Sequence, residues 1–376
     1  MMQMLAGITV LDFSQFLSGP SAALRLADLG ATVIKVENPA GGDICRRLYI
    51  SNLDIDGDSS LFHAINRNKQ GIAVDLKDDA DRQRLLPLLK QADVMIFNFR
   101  PGVSARLGLD YDSIKTLNPG VVYGEITGYG DEGPWRDKPG QDLLVQALSG
   151  LCHLNGNADQ PPLPFGLSIA DLFAGEHLAQ GILAGLLSRI NRGEGSLVQV
   201  SLLESILDVQ FEVLTTWLND GQQPPRRSQV NNANAYIAAP YGIYATADGF
   251  IAIAMTPIPR LGELLGCPGL LAYTDPEQWS NQRDEIKRLL SDHLLSGTTA
   301  DWLQRLEAAD VWCARVQTWE QLAGSEGFKV LQMLQAVDRP GGGTFLTTRC
   351  PIRIDGERFF SSKGAPGIGE DNRLLS

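Results

Sequence analysis

Apolar and polar positions fall into short blocks at the start of the chain. Residues 8–13 form an apolar run, residues 21–29 place Ala22, Leu24, Leu26, Ala27 and Leu29 at helical spacing, and residues 31–37 form a second run after Gly30. This order predicts strand, helix, strand, with a turn at Leu17–Ser18–Gly19–Pro20, and so a βαβ unit in a parallel sheet. Further strands are expected over 71–76, 93–97 and 121–127, and helices over 79–91 and 142–151. Leu172, Gly175, Leu178, Ala179, Ile182, Leu183 and Leu186 then recur at helical spacing, so another helix begins near Asp171. An Asp in a first turn suits capping and the positive end of the helix dipole. Ala174, Gly181, Ala184 and Gly185 keep this helix thin enough for close packing.

The second half reads as a smaller α+β assembly. A strand over 197–200 leads into one long apolar helix over 202–218. The stretch Asp220–Gly221–Gln222–Gln223–Pro224–Pro225–Arg226–Arg227 is the best linker. A hairpin is expected over 241–244 and 250–254, helices over 260–265, 282–295 and 299–309 with another opening at 320–322, and short strands over 312–317, 333–337, 344–346 and 352–354. The expected domains are 1–200 for the large domain, 201–225 for helix and linker, 226–320 for the small domain and 321–376 for the return to the large one. No internal repeat is present.

Length and charge narrow the functions. A chain of 376 residues favours two domains. A net charge of −12 argues against nucleic acid or an anionic membrane as a partner. No apolar run is long enough for a membrane helix, and no secretory leader is expected at the N-terminus. Cys45, Cys152, Cys267, Cys313 and Cys350 are scattered and lack CxxC spacing, which suits a reducing cytoplasm. His63, His153, His177 and His293 make no metal-ligand spacing, so no metal is expected. The first loop lacks a GxGxxG fingerprint, so neither does a nicotinamide or flavin cofactor fit.

Nine stretches, in order, are similar to family III CoA-transferases, whose close relatives are the 2-methylacyl-CoA racemases: LDFSQFLSGP with LGATVIKVE, NRNKQGIAVDLK, ADVMIFNFRPGVSARLGLDY, LNPGVVYGEITGYGDEGP, QDLLVQALSG, GLSIADLFAG, GEGSLVQVSLLE, AAPYGIYATADGFIAIA and RPGGGTFL. The resemblance spans essentially the whole chain. It implies a large Rossmann-like domain, a small α+β domain, and two subunits interlocked as a homodimer. It also implies an acyl-CoA donor and a carboxylic acid acceptor, with the CoA thioester as substrate and no permanently bound cofactor.

The resemblance makes Asp171 the nucleophile, ionised at rest, forming a mixed anhydride and then an aspartyl-CoA thioester. Splitting transfer this way conserves the thioester's energy, which hydrolysis would waste. Backbone N–H groups in the glycine-dense loop, Gly128 and Gly130 among them, are natural oxyanion donors. Lys69, Arg100, Arg106 and Lys138 are the implied CoA-phosphate cations, Asn98 and Phe99 line the adenine or pantetheine path, and Leu17 and Ser18 contribute backbone contacts. Arg46 and Arg47 read as surface charges. Racemisation needs two titratable groups flanking a carbon. The racemases place a His where this chain has Gln141, so transfer is favoured; Gln141 is left to steady an intermediate. Racemase and catalytically silent CoA-binding paralogue are the alternatives. The donor and acceptor acids are not legible. Pro257 and Pro259 predict a stiff loop where relatives carry a glycine-rich mobile one.

Overall fold

The computed structural model describes residues 3–50 and 52–375. Over these residues, six parallel strands form the central sheet: β1 (Thr9–Asp12), β2 (Thr32–Glu37), β3 (Gln70–Ala73), β4 (Val94–Phe97), β5 (Val122–Thr127) and β6 (Ser196–Ser201), in spatial order 3-2-1-4-5-6. This is the doubly wound order of nucleotide-binding α/β folds, and its direction reverses between β1 and β4. The loops leaving the carboxyl ends of those two strands therefore border the crevice where such sheets bind ligands.

Side-chain alternation assigns the two faces. Leu11, Phe13, Met95, Phe97 and Tyr123 share one buried cluster with Leu85 and Leu89. Phe13 stacks on Phe97 at 4.6 Å and Phe97 on Tyr123 at 4.8 Å. The other face carries the apolar pair Val10 and Val33 and, next along the strands, a charged pair: Asp12 and Lys35 lie opposite each other in register, both fully buried. That polar pair faces α1 (Ser18–Asp28), which is braced in turn by α2 (Ser60–Asn66).

Helix α3 (Asp79–Gln91) follows β3, and α4 (Asp142–Leu148) precedes the long α5 (Ile169–Arg192). α5 crosses α1 and β5 at close range. A Cβ on Gly175 would lie 2.2 Å from Ser21 Oγ and 2.7 Å from the Ser18 carbonyl, and one on Gly124 would lie 3.1 Å from Leu178 and Ile182. The expected thin helix surface is thus used, and at Gly175 no side chain fits.

Most elements expected from the sequence are present, with instructive shifts. α1 starts at Ser18 rather than at 21, so the expected turn is the helix's first turn; Pro20 is tolerated there because no backbone donor is required of it. The single long helix is two, α6 (Leu202–Val209) and α7 (Phe211–Asn219), broken at Gln210. That break is where the chain leaves one compact unit for the other: residues 1–145, 168–209 and 329–376 form the first, and 146–167 with 210–328 the second. Residues 146–167, expected in the large domain, cluster with the small unit instead, because a domain boundary inside a helix leaves no compositional mark.

The small unit has its own antiparallel sheet, built from β7 (Gly242–Ala245), β8 (Phe250–Ile253) and β9 (Cys313–Arg315). Tyr244, Ile251, Ile258, Leu261, Leu290 and Trp302 are among its core. The loop expected to be stiffened by two prolines is a helix start. Pro257 caps the helix Ile258–Leu265, Pro259 sits in its first turn, and Ile258 is fully buried.

Candidate active site

The C-terminal ends of β1 and β4 are fastened together by Asn98. Its amide accepts from the Gln15 N–H at 2.8 Å and donates to the Gln15 carbonyl at 2.6 Å. The chain then turns through Phe16, at φ 64°, into α1. A Cβ on Gly19 would lie 2.2 Å from that of Ser14, so only glycine permits this entry. Leu17 turns its side chain toward the cluster of Cys45, Phe62, Ile65 and Ala365, leaving only its backbone for a ligand. The N–H groups of Ser18 and Gly19 are buried in the first turn of α1 and donate to no group among the described residues. Buried N–H groups without a partner are rare in folded proteins.

Asp171 stands in the first turn of α5, which packs on the first turn of α1: a Cβ on Gly175, one turn further along α5, would lie 2.7 Å from the Ser18 carbonyl. Asp171 does not itself cap the helix, and the N-cap Ser168 makes no side-chain bond. The cap comes from Asp142, a buried carboxylate 28 residues earlier: its Oδ1 accepts from the Ala170 N–H at 2.8 Å and the Asp171 N–H at 3.2 Å. Burial, and then the neighbouring Asp142, push the Asp171 carboxyl up to about 7 from its ordinary 3.8, while Ser18 acts in the opposite direction. Both causes work against the full ionisation expected of Asp171.

Asp142 was not expected to matter; Gln141 was. The structure buries Asp142 and leaves Gln141 exposed. The glycine-dense loop explains how Asp142 is placed. Gly128 and Gly140 meet backbone to backbone, so that a Cβ on Gly128 would lie 2.6 Å from Gly140 Cα. This closes the loop two residues before Asp142. Gly130 spends its N–H on Thr127 Oγ1 at 2.9 Å, and Gly128 offers its carbonyl to Leu203 N–H at 3.1 Å. Gly128 and Gly140 thus serve close approach and Gly130 a turn at φ 88°, while the N–H groups of Ser18 and Gly19 lie on α1.

The expected CoA cations divide. Arg100 and Arg106 are exposed after β4, and neither has an ion-pair partner among the described residues. Lys138 is exposed on the glycine-dense loop, 5.7 Å from the Trp135 ring centroid. Phe99 is half-buried against the sheet core, edge-on to Phe97. Lys69 is not available at all. It is fully buried, with its ammonium on Asp12 Oδ2 at 2.9 Å, the Pro20 carbonyl at 2.9 Å and Asn66 Oδ1 at 2.8 Å. Arg46 is likewise no surface charge: it pairs with both Glu37 oxygens and with Asp58 and stacks 3.7 Å over Phe62. Arg47 is exposed as expected.

The arrangement offers a carboxylate of raised basicity, with two unspent backbone donors on the adjoining helix and free cations on the loop after β4. No second acid or base joins it on α5. His177 hydrogen-bonds Ser205 Oγ at 3.0 Å through Nδ1 and lies 3.3 Å from Asp208 through Nε2. Among the described residues no cluster has metal-ligand geometry, and no helix is long and apolar enough to cross a membrane.

The model of CoA-transferase family III matches residues 5–372. The chain is similar to a succinate–glutarate CoA-transferase of Agrobacterium fabrum, with 32% identity covering 97% of this chain and 93% of that protein. It is similar to a formyl-CoA:oxalate CoA-transferase of Streptomyces avermitilis, with 31% identity covering 99% and 94%. Its fold matches the crystal structure of a CAIB/BAIF family protein from Brucella suis, with a TM-score of 0.85 and 29% identity over 99% of this chain and 98% of that one.

Proposed function

The chain belongs to CoA-transferase family III and is a CoA-transferase, and from that premise we propose that it moves CoA between carboxylic acids through covalent intermediates on Asp171. The observation that carries this is the place of the Asp171 carboxyl, in the first turn of a helix packed on the first turn of α1, where the N–H groups of Ser18 and Gly19 are unpartnered among the described residues.

The carboxylate attacks the donor thioester carbonyl, expelling CoA thiolate and leaving a mixed anhydride. The thiolate then attacks the aspartyl carbonyl, releasing the donor acid and forming an aspartyl-CoA thioester. The acceptor carboxylate reverses both steps and leaves with CoA. Each tetrahedral oxyanion needs donors already in place, and the first turn of α1 supplies them without reorganisation. Arg100, Arg106 and Lys138 are the groups we assign to the CoA phosphates, since they are exposed and carry no competing ion pair. Lys69 is excluded from that role by its buried position. The relatives named for succinate, glutarate and oxalate support a short dicarboxylic acid as acceptor. Racemisation is disfavoured, because Gln141 has no titratable proton and His177 is already engaged.

The working unit in this reading is a homodimer. Exposed Leu172, Phe173, Leu187 and Ile190 on α5, and Phe211 and Leu218 on α7, support burial against a second copy. A solution mass near that of a single 40.8 kDa chain would contradict it. Unpaired cysteines support a cytoplasmic setting.

Mass spectrometry of the protein incubated with succinyl-CoA tests the chemistry. A CoA adduct on Asp171, absent from Asp171→Ala, is the expected result. Exchange of the α-hydrogen for deuterium without an adduct would count for racemisation, and binding with neither for a silent paralogue.

A further inference from the structure

The segment Asn66–Lys69 grips α1 at both ends. At the C-terminal end Arg67 pairs with Asp28, Nη2 to Oδ2 at 2.8 Å, and Asn68 Nδ2 donates to the Ala27 carbonyl at 2.9 Å. At the N-terminal end Lys69 donates to the Pro20 carbonyl, and its other protons are held by Asp12 and Asn66. Asn66, Arg67 and Lys69 are at most 2% exposed.

The turn entering α1 is pinned by the same buried charges. Lys35 donates to the Ser14 carbonyl and pairs with Asp43 at 2.8 Å, while Asp43 Oδ1 accepts from the Phe16 N–H at 3.1 Å. Phe16 keeps a left-handed backbone that a bulky residue adopts only when its surroundings impose it. Ser18 lies between these anchors, at Phe16 on one side and Pro20 on the other. A buried ionic cluster is poor evidence of stability, because apolar residues of the same volume stabilise as well or better. What this cluster supplies is fixed geometry for one turn of backbone.

We infer that Lys69 is a positioning residue: through the Pro20 carbonyl it fixes the first turn of α1, and so holds Ser18 and the Ser18 and Gly19 N–H groups in place beside the Asp171 end of α5. The inference rests on the reading of Asp171 as nucleophile. The charged groups around that carboxyl are otherwise accounted for. Asp142 approaches from α4; on α5, Glu176 pairs with Arg25 and His177 with Asp208.

The test is a double-variant cycle on the full chain, with Lys69→Met, Ser18→Ala and both together, read by steady-state transfer across pH. Lys69→Met should lower kcat about a hundredfold, the size expected for a displacement near 1 Å, and change the KM for acyl-CoA less than about threefold. It should also move the acid limb of the rate upward, as Ser18→Ala should, because Ser18 favours the charged form of Asp171 and its displacement makes the carboxyl easier to protonate. The double variant should be no slower than Lys69→Met alone. Asn66→Ala, which removes one Lys69 acceptor and keeps its charge partner, should give a smaller shift of the same sign and serves if Lys69→Met does not fold. Additive losses, or an acid limb unmoved in Lys69→Met and Asn66→Ala, overturn the inference. If the wild-type protein forms no CoA adduct, the nucleophile reading fails instead.

Discussion

Asp171→Asn is expected to abolish CoA transfer while making the folded protein more stable at pH 8. The catalytic loss follows from the chemistry: an amide cannot form the anhydride, and removal of a covalent nucleophile costs about 10⁴-fold or more. The gain in stability follows from the position of the carboxyl. Its folded value of about 7 lies above the ordinary 3.8, so the folded state holds a proton that the unfolded chain releases. Stability therefore drains away as pH rises between those values, and the deficit is complete above about 7. A shift of this size corresponds to about 4 kcal/mol for a wholly buried group, and about 2 kcal/mol here, where the side chain keeps some contact with water. Asparagine carries no such cost. Urea unfolding at pH 8 and pH 4 measures the effect: the variant should be the more stable at pH 8, and the difference should largely vanish at pH 4. A variant less stable than wild type at pH 8 would mean that the carboxylate is stabilised by a partner and is not strained by its site.

The sequence made the frame legible because hydrophobic periodicity is local. Apolar runs over β1, β2, β4 and β5 and the helical spacing of α5 each declare themselves within a dozen residues. Asp171 was singled out for a different reason: it sits in one of several motifs that keep their order along the chain. What the sequence hid is set by long-range contact. Asp142 caps α5 across 28 residues of chain, and no local pattern separates it from its exposed neighbour Gln141. Lys69 looked like a phosphate ligand because the motif NRNKQG resembles the family's, and nothing local marks the lysine as buried. Its three acceptors come from β1, from α1 and from the end of α2. Asp12 and the Pro20 carbonyl reach it only once β1 and α1 have packed beside it. Arg46 was misplaced for the same reason, since Glu37 and Asp58 flank it only after folding. The buried-charge layer thus reads as a surface in sequence and as scaffold in space.

The second large effect concerns Asp142, and it separates the capping role of that residue from its charge. Asp142→Asn keeps an oxygen that can accept from the Ala170 and Asp171 N–H groups, so α5 should begin where it does now. The negative charge beside Asp171 is lost. Burial is the larger cause of the raised Asp171 value and is untouched, so the carboxyl should fall only part of the way toward 3.8, by about one unit. In the proposed mechanism only the ionised form attacks, so the acid limb of the rate should move from near pH 7 to about pH 6. Relative activity at pH 5.5 should then rise about tenfold, while the plateau near pH 8 falls by a smaller factor, as a less basic carboxylate is a weaker nucleophile. Asp142→Leu removes both features. It should cost about 1 kcal/mol of stability for the missing cap and depress transfer at every pH. Rate profiles from pH 5 to 9 for the two variants decide the point. If the acid limb of Asp142→Asn coincides with that of wild type, the Asp142 charge does not act on the nucleophile, and the residue matters to the site only as the cap of α5.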